Sequence, residues 1–309
     1  LKKISKDNVK GFNAMEYAIN VKLGIAPIAW SNDDLPELGG ETPLTTFLRD
    51  AKEIGFDGVE LGNKFPKDKK ALKKILNDYE LELVGGWFSG NLLTNSLAEE
   101  KRVLLQEIER RVYCNSHNIV YAECSNTIQG KPLGLSHKPI LKEDEIKQYA
   151  EKYSLLHEFA KNKGVILAYH HHIGTIFQTA KEVDLFLQYG SKDIGITFDT
   201  GHYYFAGEEP FRELKKHRDR IYHIHLKDVR DAVKKEMIKQ DKSFLEAVLA
   251  GVYTVPGDGV INFTEIINFL KATQYEGWIV IEAEQDPKRA DPYTYSKMAF
   301  NTISDLLKK

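Results

Sequence analysis

VILAYHHHIGTIFQTAKEVDLFLQYGSKDIGITFDT, Val165 to Thr200, holds a strand, a helix and a second strand in one continuous stretch. VILAYHHH (Val165–His172) and IGITFDT (Ile194–Thr200) are short, rich in β-branched and aromatic residues, and nearly continuous in apolar character. That composition suits parallel strands covered by helices on the outside. Ala180–Tyr189 between them reads as a helix, so the unit crosses over and returns in the same direction.

The same alternation runs through the chain. KLGIAPIAW (Lys22–Trp30), FDGVELG (Phe56–Gly62), LELVGGWFSG (Leu81–Gly90) and NIVYAEC (Asn118–Cys124) read as four earlier strands, and IYHIHLKD (Ile221–Asp228) and GWIVIEAE (Gly277–Glu284) as two later ones. Helical segments are expected at Pro43–Ile54, Lys69–Asp78, Leu97–His117, Glu143–Lys163, Pro210–Asp219, Phe263–Ala272 and Pro292–Leu307. Eight strand-helix units in 309 residues argue for an α/β protein of one domain, residues 1–309, folded as a closed (β/α)8 TIM barrel. An open doubly wound sheet is the competitor. It lacks support, because no GxGxxG follows the first strand and no GxxxxGK[ST] occurs anywhere. Extended loops are expected after strands four and seven, Ser125–Asp144 and about Val229–Val260. Both leave the carboxyl ends of strands, where a barrel builds its active site.

Composition sets outer limits. With 42% hydrophobic and 28% charged residues the chain is an ordinary globular one, and a formal charge of −2 gives no general attraction to nucleic acid or anionic membrane. No apolar run is long enough to span a bilayer, and the first fifteen residues lack the apolar middle of a secretory signal. Two cysteines, Cys114 and Cys124, make no disulfide framework. A cytoplasmic protein is the expectation. The helices leave a homo-oligomer open without indicating one.

Charged residues late in a barrel strand need a partner or an ion, because the interior is packed with apolar side chains. Here they accumulate on four neighbouring strands. His170, His171 and His172 end the fifth, Asp199 and His202 follow the sixth, His223, His225 and Asp228 close the seventh, and Glu282 and Glu284 close the eighth. Strand alternation puts His223 with His225 on one side and Glu282 with Glu284 on one side. The two members of each pair differ in depth, so one of each is expected to reach a common ion. The expected ligands are His170, Asp199, His225 and Glu282, with His172 as the other claimant on strand five. Two nitrogens and two carboxylates suit Mn2+, Co2+, Zn2+ or Fe2+ better than Ca2+, and the absence of thiolates argues against a structural zinc knot.

DTGH (199–202), HIHLKD (223–228) and YEGWIVIEAE (275–284) resemble the xylose isomerase-like TIM-barrel superfamily. Within it the chain is similar to the family of inosose dehydratases. That narrower resemblance rests on KLGIAPIAWSNDDLPELGG (22–40), GFDGVELGNKFP (55–66), LVGGWFSG (83–90), LAYHHHIGT (167–175), DTGHYYFAGEEP (199–210) and VIEAEQDP (280–287). It implies dehydration of 2-keto-myo-inositol to a trihydroxycyclohexane-1,2-dione, with Mn2+ or Co2+ as cofactor and glutathione as a further one in some members. The family's strand-six carboxylate falls on Asp199, its strand-seven histidine on His225 and its strand-eight glutamate on Glu282. Strand five departs from the pattern, since many relatives carry a glutamate where this chain has His170-His171-His172.

Such a reaction takes a proton from carbon beside a ketone and expels a β-hydroxyl, so it asks for a base, an acid and a polarised ketone. His202 and Glu284 are the expected bases. Lys227 is expected to alternate away from His225 and to act only if the strand has already turned. Glu123 at the end of strand four is a further catalytic candidate. Trp30, Trp87 and Phe88 are candidates for the apolar wall of a ring-binding cleft. His172, Asn32, Lys64 and Gln285 are candidates for contact with the small-molecule cyclic polyol ketone. A ketose isomerase or epimerase on the same scaffold is the nearest alternative, and a non-catalytic sugar-binding protein the more distant one.

Overall fold

The computed structural model describes residues 17–308. Eight parallel strands close into a barrel: β1 (Val21–Ile25), β2 (Gly58–Leu61), β3 (Glu82–Gly90), β4 (Asn118–Glu123), β5 (Ile166–His170), β6 (Gly195–Asp199), β7 (Ile221–Leu226) and β10 (Gly277–Ile281). They follow one another in chain order, and β10 closes the ring on β1. The expected (β/α)8 barrel is the fold observed.

Several strands stop earlier than their apolar runs do. β1 ends at Ile25 because Pro27 opens a 3-10 turn, Pro27–Ala29, and a proline has no N–H for the ladder. Beyond the strands, the layer of helices packs by one face. In α5 (Ala180–Tyr189), Val183, Phe186 and Leu187 are buried, and the helix starts at a capping box in which Thr179 and Glu182 exchange side-chain and backbone bonds. Removing that cap with Thr179→Ala costs about 1 kcal/mol of helix stability.

The excursion after β7 is built of several short elements. It contains a short antiparallel pair, β8 (Asp228–Val229) with β9 (Tyr253–Thr254), and between them α8 (Asp231–Lys239) and α9 (Phe244–Leu249). The break falls where Asp241 takes φ 48° and Ser243 begins a fresh capping box. Asp228 anchors the whole excursion, since its carboxylate accepts N–H bonds from Val229, Gly257, Gly259 and Ile261. The other long loop, after β4, meets this excursion: Gly134 bridges Ser243, Leu135 N donates to Lys242 O at 3.0 Å, and Ser136 Oγ donates to Asp241 at 2.7 Å. Among the described residues, no helix is long and apolar enough to cross a membrane.

Candidate metal centre

Asp199 is the last residue of β6 and the N-cap of α6 (Thr200–Phe205), and it divides its two oxygens between two tasks. Oδ1 accepts the N–H of His202 at 2.8 Å, while Oδ2 is buried with no hydrogen-bond partner. In the ladder Asp199 pairs with His225, and β10 lies on the far side of β7, so strand register brings the next two groups alongside. His225 Nδ1 stands 3.6 Å from Asp199 Oδ2 and 3.2 Å from a Glu282 oxygen. His170 Nε2, from β5, stands 3.8 Å from the same Asp199 oxygen. The four expected ligands therefore come together, and His170, Asp199 and His225 each turn one donor atom to a common point.

Ring tautomers sharpen the picture. His170 Nδ1 lies 2.5 Å from the His171 carbonyl oxygen, which can only accept, so Nδ1 carries the proton and Nε2 presents a bare lone pair to Asp199. His225 Nε2 lies 3.2 Å from Glu60 Oε1, which leaves Nδ1 as the atom facing Asp199 and Glu282. His223, one pleat deeper, bonds the same Glu60 oxygen at 2.7 Å. Glu60 is not among the residues that the sequence marks. Its signal was a lone carboxylate inside the apolar run VEL of β2, and its meaning came only from its facing β7 across the barrel.

Three carboxylates, Asp199, Glu282 and Glu284, face the single ammonium of Lys227, and a fourth, Glu60, faces the rings of His223 and His225. The excess negative charge shows in the titration of the neighbours. Burial alone would push His225 down, but Glu60 and Glu282 overcome it and hold the imidazole well above its usual value. Burial works against the Asp199 carboxylate too, yet Lys227 and the two imidazoles hold it below the ordinary range. Two imidazoles, two carboxylates, an Asp199 Oδ2 and a His225 Nδ1 without hydrogen-bond partners, and the excess of carboxylates together fit a divalent cation.

Alternation also separates the three histidines of β5. His170 and His172 share a face and both line the cleft above the centre, whereas His171 points outward and lies 3.9 Å from the ring of Tyr203. Burial pushes His172 down to about 3 and His171 to about 4, so both rings are neutral.

The expectation that Lys227 points away from His225 is overturned. Residues two apart share a face, and the chain runs extended through 223, 225 and 227 before β8. Lys227 is buried with its Nζ 2.5 Å from Glu282, 2.9 Å from Glu284 and 3.1 Å from His202 Nε2. Gly201 makes room for it, because a Cβ there would come within 2.7 Å of the lysine stem. An ammonium can only donate, so His202 Nε2 accepts and its Nδ1–H donates to Tyr253 Oη at 3.1 Å. Burial raises Glu284 to about 7 against the pull of Lys227.

Other candidates sit apart from this group. Glu123 does not line the cleft; its oxygens accept from Leu93 N, Ser125 N, Ser125 Oγ and Tyr149 Oη. Trp30 packs on Phe47 and donates its Nε1 to Asp50, and Phe88 stacks on Tyr121. Asn32 accepts from Asp34 N and Leu35 N, Lys64 donates to the carbonyls of Gly39, Gly40 and Thr42, and Gln285 donates to Thr254. Trp87, in contrast, lines the cleft, its ring 5.6 Å from His170 and 5.5 Å from His172. The cleft, a cavity of about 90 Å³ that opens to solvent, is also lined by Ile28, Asp34, Gln129 and Glu284.

The chain is similar to several known proteins. The family described as xylose isomerase-like TIM barrel matches residues 48–300. An inosose dehydratase of Geobacillus thermodenitrificans is 43% identical over 92% of this chain and 97% of its own. A rhizopine catabolism protein, MocC, of Rhizobium meliloti is 40% identical over 93% of this chain and 88% of its own. Among solved structures, an IolI protein with a bound zinc atom superposes with a TM-score of 0.64 at 14% identity, covering 92% of this chain and 96% of its own.

Proposed function

The chain belongs to the xylose isomerase-like TIM-barrel family and, within it, to the inosose dehydratases; from that premise we propose that it is a carbon-oxygen lyase acting on 2-keto-myo-inositol with one divalent cation. The product is a trihydroxycyclohexane-1,2-dione, and the setting is inositol catabolism in the cytoplasm, carried out by one domain. The observation that carries the metal half of this reading is the buried, unpartnered pair Asp199 Oδ2 and His225 Nδ1, flanked by His170 and Glu282.

His170, Asp199, His225 and Glu282 would hold the ion, and the donor set suits Mn2+ or Co2+. Bound there, a divalent cation supplies Lewis acidity at the keto oxygen, where negative charge develops. The protein's residues do the rest. Trp87 offers an apolar wall to the C–H face of the ring. His172 Nδ1 lies 2.8 Å from the Ile173 carbonyl and so carries the proton, which leaves Nε2 to accept from a substrate hydroxyl.

Glu284 lines the cleft and takes the proton from the carbon beside the ketone. The Lys227 ammonium orients its carboxylate at 2.9 Å, and His202, fixed by Tyr253, holds Lys227 in turn. The carboxylic acid so formed delivers that proton to the departing β-hydroxyl. One C–H and one C–O bond break, one water leaves, and no oxidant is consumed.

The test is incubation of the full chain with 2-keto-myo-inositol and Mn2+ or Co2+ supplied singly, with and without glutathione, followed by mass analysis. Loss of one water from the ketone is the expected result. A product of unchanged mass would mean that the same carbon acid is reprotonated, which is isomerase or epimerase chemistry.

A further inference from the structure

The rim of the cleft carries a pair of groups that the chemistry above does not use. Gln129 comes from the loop after β4, and its Nε2 donates to Asp34 Oδ2, which comes from the loop after β1. Since an amide oxygen would be repelled by that carboxylate, the amide orientation is fixed by chemistry. Its Oε1 is then buried without a partner. Asp34 keeps its second oxygen, so the pair offers two acceptors side by side, and both residues line the same cleft as His170 and Glu282.

Both partners are held in place. Asn32 Oδ1 accepts from Asp34 N at 2.8 Å and Leu35 N at 2.9 Å, a turn that presents the Asp34 side chain at the rim. Lys64 ties the other end of the same loop by its three carbonyl contacts. On the Gln129 side, Ile128 N and Thr127 Oγ1 both donate to Gly174 O, at 2.9 and 3.1 Å, and Gln129 N donates back to Thr127 Oγ1. Gly174 has φ +82°, and a Cβ there would press on Gln129 N at 3.2 Å. Two tied loops therefore meet in one hydrogen bond that leaves two acceptors free on residues that line the cleft.

We propose that Asp34 and Gln129 form a specificity subsite, built from the loops after β1 and β4, that reads two adjacent hydroxyl donors of a cyclic polyol. This rests on the polyol reading of the cleft, but not on the reaction that follows binding. Vicinal hydroxyls on adjacent ring carbons can donate to both acceptors at once, whereas a ring with one of them removed leaves an acceptor unpaired.

The test uses calorimetric titration of the metal-loaded full chain with myo-inositol and with its monodeoxy derivatives, a readout that needs no turnover. Asp34→Asn keeps shape and the bond from Gln129 but turns the free acceptor into a donor, and Gln129→Met keeps bulk and removes the acceptor. The wild-type protein should bind myo-inositol about tenfold or more tighter than one or two of the deoxy compounds. Both variants should bind the parent as weakly as those compounds, with metal content and far-ultraviolet circular dichroism unchanged. Equal affinity of wild type and both variants for every compound would overturn the subsite. Equal losses across all deoxy compounds would overturn it too, by showing a general disturbance. Loss of dehydration with this binding pattern intact would instead count against the reaction and leave the subsite standing.

Discussion

The two halves of the barrel mouth carry similar residue types and treat them differently. On the β1 to β4 side, Glu123, Lys64 and the side-chain oxygen of Asn32 are tied off by the protein itself, with four donors on the glutamate, three carbonyls on the lysine and two N–H groups on the asparagine oxygen, while Asn32 Nδ2 and Gln129 Oε1 stay unpaired. On the β5 to β10 side, Asp199 Oδ2 and His225 Nδ1 remain without hydrogen-bond partners, and three carboxylates share one lysine. A buried polar group left unpaired costs free energy, so a fold that keeps several in one place is keeping them for something else. Polar character at a strand end therefore does not distinguish a scaffold from a site; unpaired atoms that converge with an excess of carboxylates do.

The largest effect should come from removing an unspent group. Asp199→Ala is expected to lower kcat/KM by about 10^3-fold or more and to strip the cation, with the circular dichroism of the barrel retained. Wild-type turnover in that variant would erase the distinction between the two halves. Next comes the carboxylate that holds a ligand. Glu60→Gln should weaken metal binding by about 10- to 100-fold, read by competition with a chelating dye, because it loosens the charge and orientation of His225.

The other half should behave in the opposite sense. Glu123→Gln places an amide N–H among donors and should cost about 1–3 kcal/mol of stability in urea unfolding, while metal stoichiometry holds and kcat/KM stays within about threefold. A collapse of turnover at full stability would move Glu123 across the divide. The smallest effect concerns a histidine outside the mouth. His157, buried between α4 (Glu143–Lys161) and β5 with Nδ1 3.2 Å from Leu167 O, is pushed below its ordinary 6.5 by burial. A depressed folded value means that its neutral form contributes stability above pH 6.5, lost as pH falls through the folded value, at up to about 1.4 kcal/mol per pH unit. Urea midpoints at pH 7 and pH 5 should therefore differ less in His157→Gln than in the wild type.

Much of this was legible in the chain. All eight strands could be read from apolar runs, and the residues that converge on one point could be read from carboxylates and imidazoles late in four successive runs. What could not be read depends on contacts between distant segments. Glu60 meets His223 and His225 across the barrel, and nothing near it in sequence separates an inward glutamate from an outward one. Asn32 and Lys64 have the right chemistry to read hydroxyls, yet loop turns consume it and hand the rim to Asp34 and Gln129. The side of Lys227 follows from the two-residue period, once the chain is known to stay extended past Leu226. The split of the post-β7 helix depends on one left-handed residue, Asp241, that composition does not mark.

The central claim is that one divalent cation sits between His170, Asp199, His225 and Glu282 and is needed for turnover. Elemental analysis of the purified full chain, paired with turnover of 2-keto-myo-inositol before and after chelation, tests it most directly. One tightly held transition metal per chain, with activity lost on chelation and restored by Mn2+ or Co2+, is the result expected. Full turnover by protein that contains no divalent metal would contradict the account.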